Sequence, residues 1–366
     1  DRLDKETDNS VKIATTRASQ DDEIKEKHLN IVDKKFVKNE EQFLKKNDLL
    51  ISLANSLHLV GRITFINKSY YRTSFGAFMG CIRAKNKMIN PILLNYFLKS
   101  SYAKEFFKSN ANTTTNISNL NFKTIGKLKL PVPQIETQNQ IVEELDGYQK
   151  IVDGCRQIIE NYKLSIDIDA SWEMIEIGQL ILSSKLGLVR SAKDQNDSQR
   201  ISYIKMNNIT YKGDLDLNKV VKVKANEDEL KNYNIKKGDI LFNTRNTPEL
   251  VGKCCVVERD LINTTFNNNL LRLRLKENYL PEFLNIVLNQ DIYKKELKRF
   301  VDATTSVAAI YQKNLFSIRV PIPNLDTQKD IVNNIQKERE SINKNKDLKN
   351  YYSDKINKKV NKYFSN

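Results

Sequence analysis

Asn243, Arg245 and Asn246 stand within four residues, directly after the apolar run Ile240–Phe242. A guanidinium can donate two parallel hydrogen bonds to guanine, and a carboxamide can pair with the edge of adenine. Such a cluster at the end of a strand suits the reading of nucleic-acid bases. Lys205 and Asn207, after the apolar Tyr203-Ile204, offer a second group of the same kind. Backbone phosphates need only cations, which fix position and carry no sequence information. Arg272 and Arg274 alternate with leucines and would share one face of a strand, as candidates for phosphate contact. Lys12, Arg17, Arg62 and Arg72 are the matching candidates nearer the amino terminus, where Tyr70 and Tyr71 could stack or pack.

Catalytic constellations are not evident. His28 and His58 have no nucleophile or ligand set beside them in sequence. Cys254 and Cys255 are adjacent, so in a strand they point to opposite faces, which suits packing better than joint ligation of a metal. The sequence has no Gly-rich phosphate loop and none of the Asn/Asp-Pro-Pro-aromatic strings that amino-methyltransferases use on an extruded base. Neither a catalytic residue nor a metal site is expected. The four cysteines form no C-x-x-C pair and no disulfide framework, which favours a reducing, cytoplasmic interior. No stretch reaches the length of an apolar membrane span.

The elements that must position these residues occur twice. KKNDLLISLANSLHLVGRITFI at 45–66 returns as KKGDILFNTRNTPELVGKCCVV at 236–257, and LPVPQIETQNQIV at 130–142 returns as VPIPNLDTQKDIV at 320–332. The offset is 191 and then 190, far longer than a solenoid period. Ser52, Ala54 and Asn55 align with Asn243, Arg245 and Asn246, so the polar group differs between copies of one frame. Projecting the second copy backwards places the counterpart of Trp172 ahead of Asp1.

Charge follows the same division. Residues 1–133 carry +10, 134–170 carry −5, 171–323 carry +6 and 324–366 carry +4, within a total of +15. A basic pair of modules favours a polyanion. Asn90-Pro91 predicts a helix start, followed by Leu93, Leu94, Phe97 and Leu98 at helical spacing; Pro281 to Leu297 repeats it. Pro131/Pro133 and Pro321/Pro323 should end strands. A long helix over Glu136–Ile168 is expected next, with a seam of Ile141, Leu145, Tyr148, Val152 and Ile159. A second, from Asp326 to Phe364, has Ile331, Ile335, Ile342, Leu348 and Ile356. One helix is acidic and the other basic, so each is the other's natural partner.

The expected architecture is therefore α/β in the mixed α+β sense. Two homologous modules, 1–133 and 171–323, alternate with helices at 134–170 and 324–366. The helices would form an antiparallel coiled-coil pair with pseudo-two-fold symmetry.

These features resemble the DNA specificity subunits of type I restriction–modification systems. The resemblance rests on K-K-x-D-[IL]-L at Lys45–Leu50 and Lys236–Leu241, L-V-G-[RK] at Leu59–Arg62 and Leu250–Lys253, and P-x-P-x-[IL]-[ED]-T-Q-x-x-I-V at Pro131–Val142 and Pro321–Val332. It covers nearly the whole chain. It implies two target-recognition domains, each reading one half of a bipartite double-stranded DNA target. It implies conserved spacer helices that dock two methyltransferase subunits, and motor–nuclease subunits in the full restriction complex. S-adenosylmethionine, ATP and Mg would belong to those partners, with no cofactor, membrane or catalysis for this chain. Two alternatives stay open: the recognition region of a larger fused methyltransferase or restriction enzyme, and a coiled-coil adaptor that does not bind DNA.

Overall fold

The structure, a computed structural model, describes residues 2–20, 23–85, 88–114, 116–303 and 307–363. The chain divides into two compact units, Asp1–Glu160 with Lys344–Asn366, and Asn161–Asn343.

In the first unit the Leu49–Ser52 strand lies between Met79–Ile82 and Ile63–Phe65, antiparallel to both. Its four residues are all buried, because both of its faces are covered. Leu49 and Ile51 pack with Leu94, Leu98 and Phe107, while Leu50 faces Ala14, Ile66 and Met79. A continuous apolar run is what such a strand requires. Ser10–Ala14 is antiparallel to Asn30–Asp33 on one side and parallel to Thr73–Phe75 on the other. Helix α1 spans Pro91–Lys99 and starts as expected, with the Asn90 side chain accepting the Ile92 N–H and proline in the first turn. Ser100 caps the next helix, α2, at Ser101–Ser109.

The second unit repeats this logic. Ile240–Asn243 lies between Cys254–Val256 and Leu270–Leu275. Ile240 and Phe242 face one cluster, and Leu241 faces another. Ile201–Ile204 has the same antiparallel and parallel neighbours as its counterpart, at Val221–Val223 and Thr264–Phe266. Pro281–Leu288 and Asp291–Arg299 form helices α3 and α4. The Ile181–Leu186 strand adds to the far side of Leu270–Leu275. Among the described residues, Met79–Ile82 has no neighbour at the equivalent edge.

The repeated motifs are the fixtures of this frame. The Asp48 carboxylate accepts the Lys45 N–H at 2.7 Å and two guanidinium bonds from Arg83, at 2.6 and 2.8 Å. Asp239 does the same, with the Lys236 N–H at 2.8 Å and Arg274 at 2.6 and 3.1 Å. Both carboxylates are buried, and each holds its arginine above the usual guanidinium range through a side-chain hydrogen bond. Asn47 and Gly238, the variable residue of K-K-x-D, both take positive φ, at 74° and 83°. Asparagine and glycine are the residues that accept this conformation most readily. In the third motif the glutamine is buried. Gln138 accepts the Asn90 N–H and donates to the Pro133 carbonyl; Gln328 accepts the Leu280 N–H and donates to the Pro323 carbonyl. Each clamps the start of a long helix to the start of a module helix.

Those long helices are α5, spanning Ile135–Asn161, and α6, spanning Leu325–Lys362. Within the first unit the second half of α6 runs antiparallel to α5. Glu144 pairs with Lys359 at 2.7 Å, the Tyr148 and Tyr352 rings lie 5.5 Å apart, and Ile141, Leu145 and Val152 share a cluster with Ile356 and Val360. The seam expectation needs two corrections. α5 ends at Asn161, not Ile168, because Ile166 leaves the helical path to pack on the second unit's core. Leu348 is 43% exposed and lies outside the seam. Ile335, Ile342 and Ile356 are buried, and Ile159 and Ile331 are half-buried. Phe364 and the Thr304–Ser306 loop lie outside the described residues.

Candidate nucleic-acid interface

The Ile240–Asn243 strand delivers the chain into the polar group that follows it. Asn243 is buried. Its amide donates to the carbonyls of Arg245 and Asn269, both at 3.0 Å, and its Oδ1 accepts the Asn246 amide at 2.8 Å. These bonds fold the loop back so that Arg245–Asn246 pairs with Ala308–Ala309. Arg245 is exposed and Asn246 half-buried. The expectation that Asn243 reads a base is therefore corrected: its carboxamide is consumed in shaping the loop that presents Arg245.

The first module builds the same loop with other side chains. Asn55 donates to the Ser52 hydroxyl at 3.4 Å, and Ala54–Asn55 pairs with Ser118–Asn119. Gly61 and Gly252, with φ of 76° and 88°, donate their N–H groups to Ser52 and Asn243. Ala54 and Arg245 occupy equivalent places on these loops.

A second segment lies beside the loop in the second module. The Ile201–Ile204 strand ends in a turn over Lys205–Asn208, where the buried Asn208 accepts the Lys205 N–H at 2.9 Å. Asn207 is exposed at its tip, and Lys205 Nζ bonds Gln195 at 3.0 Å. Arg17, also exposed, follows the equivalent Ser10–Ala14 strand in the first module. Lys253, which in sequence stands out only as the end of a motif, donates through Nζ to the carbonyls of Met206 and Ile209, at 3.0 and 2.6 Å.

The other cations divide by burial. Arg272 is 6% exposed, its guanidinium donating to Asn234 and lying over the Phe266 ring. Desolvation lowers its pKa. The expectation of a phosphate contact at Arg272 is corrected, since the segment at Asn234 covers that part of the strand face. Arg274 shares the face, as its alternation requires, but binds Asp239. Lys12 pairs with Glu6 at 2.8 Å. Arg72, at φ 43°, donates to the Asp8 carbonyl and lies over the exposed Tyr71 ring. Tyr70 and Arg62 are half-buried. Cys254 and Cys255 do point to opposite faces, into separate clusters, and burial pushes the Cys254 thiol up to about 12. Among the described residues no group of His, Cys, Asp or Glu is placed to hold a metal. No helix of the described residues is long and apolar enough to cross a membrane.

Residues 2–161 and 170–358 match the family model for the type I restriction modification DNA specificity domain. The chain belongs to this family. It is 25% identical over 338 residues to the type I restriction enzyme EcoKI specificity subunit of Escherichia coli strain K12, covering 84% of this chain and 71% of that one. The StySPI specificity subunit of Salmonella potsdam is 24% identical over 339 residues, with the same coverage. A solved chain from a study of complex assembly and conformational transition of the type I R-M system shares the fold, with a TM-score of 0.57 and 14% identity over 97% of this chain and 91% of that one. This specificity subunit is thus a sequence-specific DNA-recognition component of a type I restriction–modification complex, and is not itself a catalyst. It acts with DNA and with other subunits of that complex.

Proposed function

We propose that the specificity subunit reads a bipartite duplex target, one half with each module. Residues 1–133 and 171–323 are the two target-recognition domains in this reading, and 134–170 and 324–366 are the spacer segments. The observation that carries it is the pair of equivalent loops, held by the same glycine and asparagine bonds, with Ala54 on one and Arg245 on the other. A shared frame that carries a half-buried alanine in one module and an exposed arginine in the other suits two readers of different sequences. Asn207, Arg245 and Asn246 are the base-reading candidates, with Lys205 beside them; Arg17, Arg62, Arg72 and Lys12 are the candidates for phosphate.

The spacer helices form an antiparallel, pseudo-two-fold pair that sets the distance between half-sites and docks two methyltransferase subunits. Motor–nuclease subunits complete the restriction complex. S-adenosylmethionine, ATP and Mg belong to those partners, and the assembly works in the cytoplasm. The test is mapping of methylated adenines in DNA from cells that express this chain with its methyltransferase. A split target is expected. A contiguous target, or methylation unchanged when the second module is exchanged for another, would overturn the reading.

A further inference from the structure

A lysine in a DNA-reading module is ordinarily a phosphate contact, and Lys253 is not placed as one. It closes the L-V-G-[RK] motif and enters the Cys254–Val256 strand. Its Nζ turns inward to two carbonyls of the Lys205–Asn208 turn and its exit, Met206 at 3.0 Å and Ile209 at 2.6 Å. Burial holds its ammonium below the usual lysine range. Its own carbonyl accepts the Asn243 N–H at 2.7 Å. One residue therefore grips the turn with its side chain and the loop with its backbone.

A second tie runs parallel to the first. The Asn269 carbonyl accepts the Thr244 N–H at 2.9 Å and the Asn243 amide at 3.0 Å, while its own amide lies 3.4 Å from the Met206 sulfur. The exposed groups carried by the two gripped segments are Asn207 and Arg245.

We infer that Lys253 is a positioning residue for base recognition: it locks the turn carrying Asn207 and the loop carrying Arg245 into one reading surface, and does not touch DNA. The inference rests on the proposed reading of one half-site by this module. Base contacts tolerate little misplacement, since a reading constellation must be held to within about 0.5 Å. Removing the ammonium leaves two carbonyls without their donor and frees the turn from the loop. In the first module the equivalent residue is Arg62, whose carbonyl accepts the Ser52 N–H at 3.0 Å.

The experiment is a competition titration of the assembled complex against duplexes altered in either half-site, at several salt concentrations. Lys253→Met should lower discrimination within the second module's half-site about tenfold or more and leave the other half-site intact. The slope of log affinity against log salt should not change, because no phosphate contact is lost. Lys253→Gln, which keeps a neutral N–H donor group on a shorter side chain, should fall between, and Lys253→Arg should restore discrimination. Asn207→Ala and Arg245→Ala, surface changes with little effect on folding, serve as reference. If they reduce discrimination and neither Lys253→Met nor Lys253→Gln does, the positioning role is wrong. A slope reduced by roughly one unit, with weakening on every duplex, would make Lys253 a phosphate contact and equally overturn it. Unchanged half-site preference in the Asn207 and Arg245 variants would refute the underlying reading itself.

Discussion

At the residue scale the two buried carboxylates dominate the frame. Asp239 is 2% exposed and depends on Arg274 and the Lys236 N–H for compensation. Removing one partner of a buried pair typically costs about 3–5 kcal/mol, because the other charge stays desolvated. Arg274→Ala should therefore destabilise the second module by about that much in urea unfolding. Adding Asp239→Asn to it should recover part of the loss, since the stranded charge disappears. A double variant no better than the sum of its single changes would show that the two residues act independently. Arg245 lies on the opposite side of this distinction. It is exposed, so Arg245→Ala should leave unfolding within about 0.5 kcal/mol of the parent. It should change preference in one half-site only, by about 1–3 kcal/mol for a bidentate base contact, as measured by competition between duplexes.

Elements carry their own consequences. Gly147 and Gly154 lie inside α5, and nothing stands within 4 Å of where a Cβ at either would project. Glycine costs a helix interior about 0.8–1.0 kcal/mol relative to alanine. Gly147→Ala should raise the thermal midpoint of the isolated subunit, by calorimetry, and a fall would mean that the backbone there is not regular helix. The seam also responds to pH. A hydrogen bond from Lys359, and then one from Tyr148, holds the Glu144 carboxyl below its ordinary value, and the same pair raises Lys359. A lowered carboxylate contributes stability that is present above the unfolded value and lost as pH falls through the folded one. A raised lysine contributes stability that is present below its unfolded value and lost as pH rises through the folded one. Both side chains are over a third exposed, at 39% and 35%, so solvent screening keeps the contribution below about 1 kcal/mol. Glu144→Gln should flatten the acid limb of the stability profile slightly, and added salt should shrink the difference. An unchanged acid limb at low salt would show that the pair contributes nothing.

For the whole molecule, the repeat presents related surfaces twice. Like partners should then bind twice, so light scattering of the reconstituted methylating complex should give two methyltransferase subunits for each copy of this chain. A limiting ratio of one would count against the paired spacer helices as docking sites. The two modules should also fail separately in recognition, because each frame is built from its own strands and its own buried Asp–Arg pair.

By itself the sequence determined the repeat, the class of fold and the family, because those depend on local rules. Asn90-Pro91 starts a helix through its own cap, positive φ selects Asn47, Gly61, Gly238 and Gly252, and each P-x-P is followed by a helix whose glutamine clamps its start. The two-faced strand Ile240–Phe242 was legible as an unbroken apolar run. What stands over a residue was not legible. Arg272 alternates with leucines just as a solvated strand face would, and only the fold brings Asn234 over it and leaves Arg274 to Asp239. Asn243 and Arg245 look like equal readers in one dimension; the pairing of Arg245–Asn246 with Ala308–Ala309 turns one inward and the other out. Lys253 is a basic residue whose direction is set by carbonyls 44 and 47 positions away. The tertiary structure decided these cases because burial depends on packing between segments distant in sequence, whereas helix starts, turns and strand periods are fixed by neighbours along the chain.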